Sequence, residues 1–418
     1  MLSTIRSSPS RHLPSLLLRS LSTDTLTSPS DLHPPPPPKP SRNTKPRTSL
    51  YPHPRPALSR TNPPLSKLPP KFGQNQLLPV SNSTWALLES IVSQFNAPIR
   101  YAFAYGSGVF EQDGYDLKKT GTTEAAPMLD FMFAVTHADH FHSINMHQHP
   151  SHYPLHARIL GSSYVSRVEA LEPGVWFNAY VPMNGVMIKY GVTTVDNLCS
   201  DLLNWRTLYL AGRMHKPLKI IKDDARVRLT QQVNLTSAVR AALLTLPGEF
   251  PETQLFERIA GISYMGDPRM VLPVENRGKV TNIVRKQGPQ FKELYHRLVV
   301  GLPGVHWPAH STMIQQDTAA QARAAHLKKL PSNLLTRVRE SCAREAEGTE
   351  PVFDADESAY WVQLAGNERL PEILTREMSE IVRYPATMQT LKGIVSVGIG
   401  KSLRYSTAKI QKWWRGRR

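Results

Sequence analysis

One short segment of the sequence combines residue types that suit the binding of phosphate. An apolar run over residues 101–105, ending in Tyr105, breaks into Gly106, Ser107 and Gly108. Glycine lets the backbone come close to phosphate oxygens, and a serine hydroxyl with successive backbone amides can donate hydrogen bonds to them. Because Gly-Ser-Gly also occurs in ordinary turns, this segment predicts a phosphate site only together with other residues.

Asp130 supplies the second part of the pattern, because it lies inside the apolar run 128–135. A carboxylate in such a run is costly to bury unless it meets a cation or a metal ion. One explanation is Mg²⁺ that bridges the carboxylate to triphosphate oxygens, and the other is a solvent-facing aspartate at a strand end. Together, the turn and the carboxylate predict a site for a nucleoside triphosphate and its metal.

Other polar residues allow either a functional or a structural interpretation. Lys189 lies in the β-rich run 186–192, from which it can reach a phosphate or simply extend into solvent at a sheet edge. The cations Arg213 and Lys216 close a helical segment, where they can complement the helix dipole. An ion pair between Asp267 and Arg269 is the ordinary explanation for these two neighbours in a turn.

Histidine is concentrated in one region, since seven of the fifteen histidines lie between His137 and His156. A zinc site is one interpretation. No cysteine accompanies these histidines, and Asn, Gln, Ser and Pro surround them, so we favour a histidine-rich loop without a metal.

The elements that position these residues follow from the apolar periodicity. It predicts a helix from about Ser83, buried strands over 98–105 and 128–135, and a hairpin over 175–192 that turns at 182–185. A helix over 195–212 follows, and the later helices are expected at 231–246, 252–261 and 290–302. We therefore expect an α/β domain with a mixed sheet and flanking helices over 76–222, a mainly α domain over 223–335, and a linker with helices over 336–380.

Both ends of the chain have a distinct composition. Residues 1–23 are rich in Arg and Ser and contain no acid, which is typical of a mitochondrial presequence, and the Pro-rich segment 24–75 is not expected to fold. Residues 381–418 also lack acids, and helical spacing places their apolar residues opposite a row of cations. This pattern predicts an amphipathic helix on an anionic membrane surface, or one packed on the protein itself.

The overall composition limits the kinds of partner. The formal net charge of +17 favours anionic partners, and two cysteines provide neither a disulfide framework nor zinc-ligand spacing. No apolar run approaches the roughly 20 residues that span a bilayer, so membrane contact is expected to be peripheral.

Several ordered segments together resemble the mitochondrial CDP-diacylglycerol synthases, also called phosphatidate cytidylyltransferases or translocator assembly and maintenance proteins. The resemblance covers about residues 85–300 and the C-terminal segment. Its motifs are Tyr-Gly-Ser-Gly-Val-Phe (105–110), Leu-Asp-Phe-Met-Phe-Ala-Val (129–135), Ser-His-Tyr (151–153), Ile-Lys-Tyr-Gly-Val (188–192), Asp-Leu-Leu-Asn-Trp (201–205), Leu-Tyr-Leu-Ala-Gly-Arg (208–213) with Lys-Pro (216–217), Ala-Gly-Ile-Ser-Tyr (260–264) and Gly-Asp-Pro-Arg-Met (266–270).

The resemblance implies a nucleotidyltransferase-like domain, a winged-helix-like domain and a C-terminal amphipathic helix. It also implies Mg²⁺-dependent transfer of CMP from CTP to phosphatidate, with release of pyrophosphate, for cardiolipin-type lipid synthesis on the matrix side of the inner mitochondrial membrane. The residues that it places at the site are Tyr105, Gly106, Ser107 and Gly108 for the triphosphate, Asp130 and Asp201 for the metal, and Lys189, Asp267 and Arg269 beside Asp130 for catalysis.

One position departs from the broader nucleotidyltransferase pattern, which places a second carboxylate two residues after the first. Here that position is Met132, so a second metal ligand would have to come from elsewhere, with Asp201 or Asp267 as candidates. A phosphate monoester with a second pKa of about 6 is already mostly dianionic, so this acceptor needs no base to activate it.

Two other functions remain open at this stage. A nucleotidyltransferase acting on RNA ends would also suit the basic charge, although no exposed aromatic platform for bases is evident and we expect no nucleic acid partner. A non-catalytic scaffold for the import machinery is the other, and the intact Gly106, Ser107 and Asp130 argue against it.

Overall fold

The computed structural model of the protein describes residues 68–110, 128–271, 278–345 and 357–397. The predicted presequence, most of the Pro-rich segment and residues 398–418 of the predicted membrane segment lie outside this part of the chain. All described residues belong to one unit of the fold.

A five-stranded mixed sheet carries the residues of interest. Its strands are β1 (Tyr101–Tyr105), β2 (Leu129–Val135), β3 (Trp176–Met183), β4 (Val186–Thr194) and β5 (Leu218–Lys222). Their order is β3-β4-β2-β1-β5, and β2 and β4 are the parallel pair. The predicted hairpin is confirmed, with positive φ angles of 48° at Asn184 and 78° at Gly185 forming its turn. Pro182 is tolerated in β3 because this strand lies at the edge of the sheet.

Seven helices connect and cover the strands in this part of the described chain. They are α1 (Asn82–Ser93), α2 (Ser107–Phe110), α3 (Ala138–Gln148), α4 (Leu155–Leu160), α5 (Ser162–Ala170), α6 (Val195–Asn204) and α7 (Tyr209–Arg213). The helix α1 begins slightly before the predicted start near Ser83. Its N-cap is Ser81, whose hydroxyl accepts a hydrogen bond from the Thr84 amide at 3.2 Å.

The histidine-rich region is helical, so the prediction of a loop was wrong. Most of it forms α3, and two of its histidines are buried in a hydrogen-bond network. His142 contacts Glu169 at 2.7 Å and Tyr153 at 2.8 Å, while His152 contacts Tyr190 at 2.9 Å. Asn145 also belongs to this network, because its amide donates to the hydroxyls of Tyr153 at 2.9 Å and Tyr190 at 2.8 Å, whereas Ser143 and His147 face solvent.

Helices dominate the rest of the described chain, together with a small sheet. The elements are α8 (Ala225–Leu243), β6 (Glu249–Pro251), α9 (Glu252–Gly261), α10 (Lys279–Val300), β7 (Val305–His306), β8 (Met313–Gln316), α11 (Ala320–Leu327), α12 (Ser332–Glu345), α13 (Glu357–Ala365) and α14 (Leu370–Val397). The three short strands form an antiparallel sheet in the order β6-β8-β7. Among the described helices, none is long and apolar enough to cross a bilayer.

The predicted helix over 252–261 coincides with α9, but α10 begins at Lys279, well before the predicted start at 290. Pro289 is the reason for this difference, because a proline is common at the start of a helix and rare inside one. The structure accommodates this proline by a kink, with non-helical angles at Gln287.

The sheet lies between two hydrophobic clusters, one on each face, which hold its strands in place. Alternate residues such as Ala104 and Phe133 pack with α1 and α3 on one face. On the other face, Phe103 and Met132 belong to a larger cluster that continues through α6 and α8 into α14. The sheet is therefore buried on both sides, and polar side chains emerge where its strands end.

Candidate active site

Three polar residues lie side by side in the part of the sheet where β1 ends and where β2 and β4 begin. Asp130 is paired with Tyr105 of β1 on one side and with Lys189 of β4 on the other. Residues paired in this way point to the same face. The Lys189 Nζ atom lies 3.9 Å from Asp130 Oδ1, and the two side chains are 31% and 29% exposed. Asp130 is therefore a partly accessible carboxylate with a cation beside it.

The Gly106 turn lies next to this carboxylate. Gly106 has a φ of +92°, which favours glycine, and the short helix α2 begins directly after it. A Cβ atom added at Gly106 would lie 3.6 Å from Asp130 Oδ2. The structure thus brings together the two sequence signals, the glycine turn and Asp130, that were 24 residues apart in the chain.

Arg213 extends the site on the face that carries Tyr105. Its guanidinium lies 4.8 Å from the ring centre of Tyr105, 5.0 Å from that of Tyr209 and 5.8 Å from that of Phe177. It donates a hydrogen bond of 2.7 Å to the Tyr105 hydroxyl. Burial alone would lower the pKa of Arg213, but the nearby Tyr105, Tyr209 and Asp130 raise it above its usual value, so the group stays charged.

A second cationic group adjoins Arg213 around the ring of Tyr264. The ammonium groups of Lys216 and Lys279 lie 4.9 Å and 5.1 Å from the centre of this ring. Lys216 also donates hydrogen bonds to the Gly212 carbonyl at 2.8 Å and to Ser263 Oγ at 2.7 Å. Burial lowers the pKa of Lys216 well below its usual value, and the nearby charges of Arg213 and Lys279 lower it further.

Sequence reasoning gave Arg213 and Lys216 only a helix-dipole role and did not place them at the site. Their partners Tyr105, Phe177 and Tyr264 are distant in the chain, so no local pattern marks them. The structure places Arg213 close enough to Asp130 to interact with its charge, and Lys216 beside Arg213.

Asp267 and Arg269 form the internal ion pair that the sequence suggested as their ordinary explanation. Arg269 Nη2 lies 2.6 Å from Asp267 Oδ2, and the Arg269 amide donates to Asp267 Oδ1 at 3.0 Å. The hydrogen bond to Asp267 is the main cause that raises the pKa of Arg269, with a contribution from Tyr209. Arg269 therefore lies near the site, whereas both oxygens of Asp267 are already occupied.

The contacts of Asp201 favour a structural role and argue against the prediction that it binds a metal ion. Its side chain is buried and accepts five hydrogen bonds of 2.7–3.1 Å from the loop before α7 and from the first turn of α7. The donors are the amides of Thr207, Leu208, Leu210 and Ala211 and the hydroxyl of Thr207. No oxygen of Asp201 is left to reach a metal at the sheet edge.

The residues around Asp130 can still hold a magnesium ion. In the described ranges no group of three or more His, Cys, Asp or Glu side chains could bind a metal. Met132, at the position of a second carboxylate, is fully buried in the core. Mg²⁺ often uses only one or two carboxylates and takes its other ligands from water and substrate phosphates. One accessible carboxylate beside a glycine turn fits a metal that arrives with a triphosphate.

Comparisons with known proteins show the family of the chain. The family described as "Phosphatidate cytidylyltransferase, mitochondrial" matches residues 88–412. A relative of that name from Xenopus laevis is 36% identical over 344 residues, which cover 82% of this chain and 98% of the relative. The relatives from Saccharomyces cerevisiae (34% identical, 82% of this chain and 74% of the relative) and Drosophila melanogaster (38%, 75% and 94%) have the same name. The chain belongs to the family of mitochondrial phosphatidate cytidylyltransferases.

Proposed function

We propose that this protein transfers CMP from CTP to phosphatidate in mitochondria, giving CDP-diacylglycerol and pyrophosphate for cardiolipin-type lipid synthesis. The activity is that of its family, whose members match most of the chain. The structural observation that carries the proposal is the cluster of the Gly106 turn, Asp130 and Lys189 at one sheet edge. These are the groups that a triphosphate and its metal require.

We assign the described fold to a nucleotidyltransferase-like domain followed by a winged-helix-like domain. The mixed sheet with a glycine turn after β1 and a carboxylate on β2 supports the first assignment. The succession α8-β6-α9-α10-β7-β8, with β8 central in the small sheet, supports the second.

In the proposed mechanism the protein mainly positions and neutralises anions. The backbone amides after Gly106 donate to phosphate oxygens of CTP, and Lys189 offsets part of their charge. Asp130 would hold Mg²⁺, which supplies further charge neutralisation when it is bound with the triphosphate. The phosphate of phosphatidate arrives largely as a dianion, since its second pKa is about 6, and can attack without a general base. This explains how an apolar Met132 can stand where hydroxyl-activating relatives would need a carboxylate.

We further propose that the enzyme binds the matrix face of the inner membrane through residues 381–418. The described end of α14 exposes the apolar side chains Leu391, Ile394 and Val395. Lys392 instead points inward and donates hydrogen bonds to the carbonyls of Glu169 at 3.1 Å and Leu171 at 2.8 Å. The contact fixes this part of α14 to the end of α5, so its apolar side chains face away from the protein.

The direct test is to incubate the purified protein with labelled CTP, Mg²⁺ and either phosphatidate or RNA, and to separate the products. We expect labelled CDP-diacylglycerol, and labelled RNA or no product would contradict the proposal. Asp130→Asn should abolish product formation while the unfolding free energy changes by less than about 1 kcal/mol, because the side chain is partly exposed. Retained turnover in this variant would remove Asp130 from the mechanism.

A further inference from the structure

A group of cations lies next to the proposed triphosphate site but is not used by it. Its members are Arg213, Lys216 and Lys279, which are arranged along the rings of Tyr105, Tyr209 and Tyr264. We propose that Arg213 and Lys216, with Lys279 beside them, bind the phosphate monoester of the acceptor. The inference rests on the proposed function, which it extends by separating an acceptor subsite from the subsite of CTP.

The charges around Arg213 and Lys216 call for an anion. Asp130, the carboxylate that acts on Arg213, is already next to Lys189 at 3.9 Å. Among the described residues, the charges that act on Lys216 are the cations Arg213 and Lys279. Asp267 does not compensate them, because its oxygens are bound by Arg269. Clustered cations with little access to water are unfavourable unless an anion joins them.

The hydrogen-bonding groups also remain incompletely used. Arg213 donates through Nη1 to Tyr105, whereas its enclosed Nε atom has no partner among the described residues. The Lys216 ammonium donates two of its three hydrogens, to the Gly212 carbonyl and to Ser263 Oγ. The Arg213 Nε hydrogen and the third Lys216 hydrogen are thus donors that one phosphate group could accept from.

The location of the cations favours the lipid as the source of this phosphate. The helix α14 contacts both α7, which carries Arg213, and the 3-10 helix Ile262–Tyr264. A Cβ atom added at Gly266 would collide with the Ser379 carbonyl, so α14 passes close to this turn. From Ser379 the helix continues for about 18 Å, at 1.5 Å per residue, to the exposed Leu391. The cations thus lie between Asp130 and the helix that leads to the exposed apolar end.

The kinetic test compares Lys216→Met and Lys279→Gln with Arg285→Gln, a control that removes a cation from the same helix as Lys279. Turnover is measured with a soluble short-chain phosphatidate, and the Kd of Mg²⁺-CTP is measured by calorimetry without acceptor. We expect the acceptor KM to rise at least tenfold in the first two variants, with the Kd of CTP within threefold of wild type, and no change in Arg285→Gln. A weakened Kd for CTP with an unchanged acceptor KM would assign the cations to the triphosphate and overturn the proposal.

A binding experiment keeps this inference separate from the proposed function. Short-chain phosphatidate and short-chain phosphatidylmethanol, a diester, are titrated into the wild-type protein in the absence of CTP. We expect the monoester to bind at least tenfold more tightly, and this preference to disappear in Lys216→Met. Equal binding of both lipids would refute the subsite, whereas absence of turnover in the wild type would refute the proposed function alone. Lys279→Gln, at the first position of α10, provides the same comparison if Lys216→Met does not fold.

Discussion

Replacement of Asp201 by asparagine distinguishes a structural aspartate from a metal ligand. The change keeps the shape of the side chain but removes its charge and turns one acceptor oxygen into a donor. In the folded protein, Oδ1 accepts from the amides of Thr207 and Leu208, and Oδ2 accepts from those of Leu210 and Ala211. Either orientation of the new amide therefore places an NH₂ group against at least two backbone N–H groups.

The expected loss of stability follows from these contacts. Hydrogen bonds to a charged group contribute about 1.5–3 kcal/mol each, and Asp201→Asn removes at least two of them. The side chain is 1% exposed, so water cannot replace the lost acceptor. We expect the unfolding free energy to fall by about 4 kcal/mol, a large part of the 5–15 kcal/mol that is typical of a folded protein.

Urea unfolding followed by tryptophan fluorescence measures this loss, and Asp196→Asn is a matched control on the same helix. Asp196 is 68% exposed and pairs with Arg226, so its replacement should cost less than about 1 kcal/mol. At temperatures where Asp201→Asn remains folded, the Mg²⁺ concentration for half-maximal turnover should be unchanged. A stability loss below about 1 kcal/mol together with a tenfold higher Mg²⁺ requirement would refute the structural role.

Three further variants test the site and the core beneath it. Gly106→Ala should lower the unfolding free energy by about 1–2 kcal/mol, because φ is +92°, and should weaken CTP binding in calorimetry. Met132→Asp should destabilise the protein by about 3 kcal/mol or more without lowering its Mg²⁺ requirement, because the new carboxylate would be buried in the core. Burial lowers the pKa of Lys392 to about 8 in the folded protein. Between pH 8 and about 10.5 the unfolded state therefore binds more protons at this residue than the folded state does. The contribution of Lys392 makes the unfolding free energy rise with pH over this range. Lys392→Met should lack that rise when urea unfolding is compared at pH 7.5 and pH 10.

The residues at the centre of the candidate site could be singled out from the sequence because the signals there are local. A strand that ends in glycine and a carboxylate inside an apolar strand are visible without the fold, and the structure places Gly106 beside Asp130. The hairpin between β3 and β4 is equally local, since Asn-Gly is a strong turn signal.

The rest of the site depends on contacts between distant parts of the chain. Arg213 belongs to the site because Tyr105 and Phe177 pack against it, and nothing in its own segment indicates this. The prediction of a loop around His142 was wrong for a related reason. Its partner Glu169 lies on another helix, and in sequence the polar residues of a buried network resemble those of a loop. The contacts of Asp201 could not be predicted, because its donors follow six to ten residues later and the sequence does not specify how that segment folds back onto α6.

Met132, which occupies the position of the second carboxylate, has a packing role in the structure. Gly191 has no side chain, and a Cβ atom there would lie 2.7 Å from the Phe177 ring and 2.8 Å from the Met132 sulfur. Met132 and Phe177 therefore both pack into the space over Gly191, and the Phe177 ring lies 4.6 Å from the Lys189 ammonium and 5.8 Å from the Arg213 guanidinium. An aspartate at position 132 would place a charge under this ring and remove its apolar support. The position that would serve to activate a hydroxyl thus helps to hold two cations, which is the arrangement that an acceptor arriving as a dianion needs.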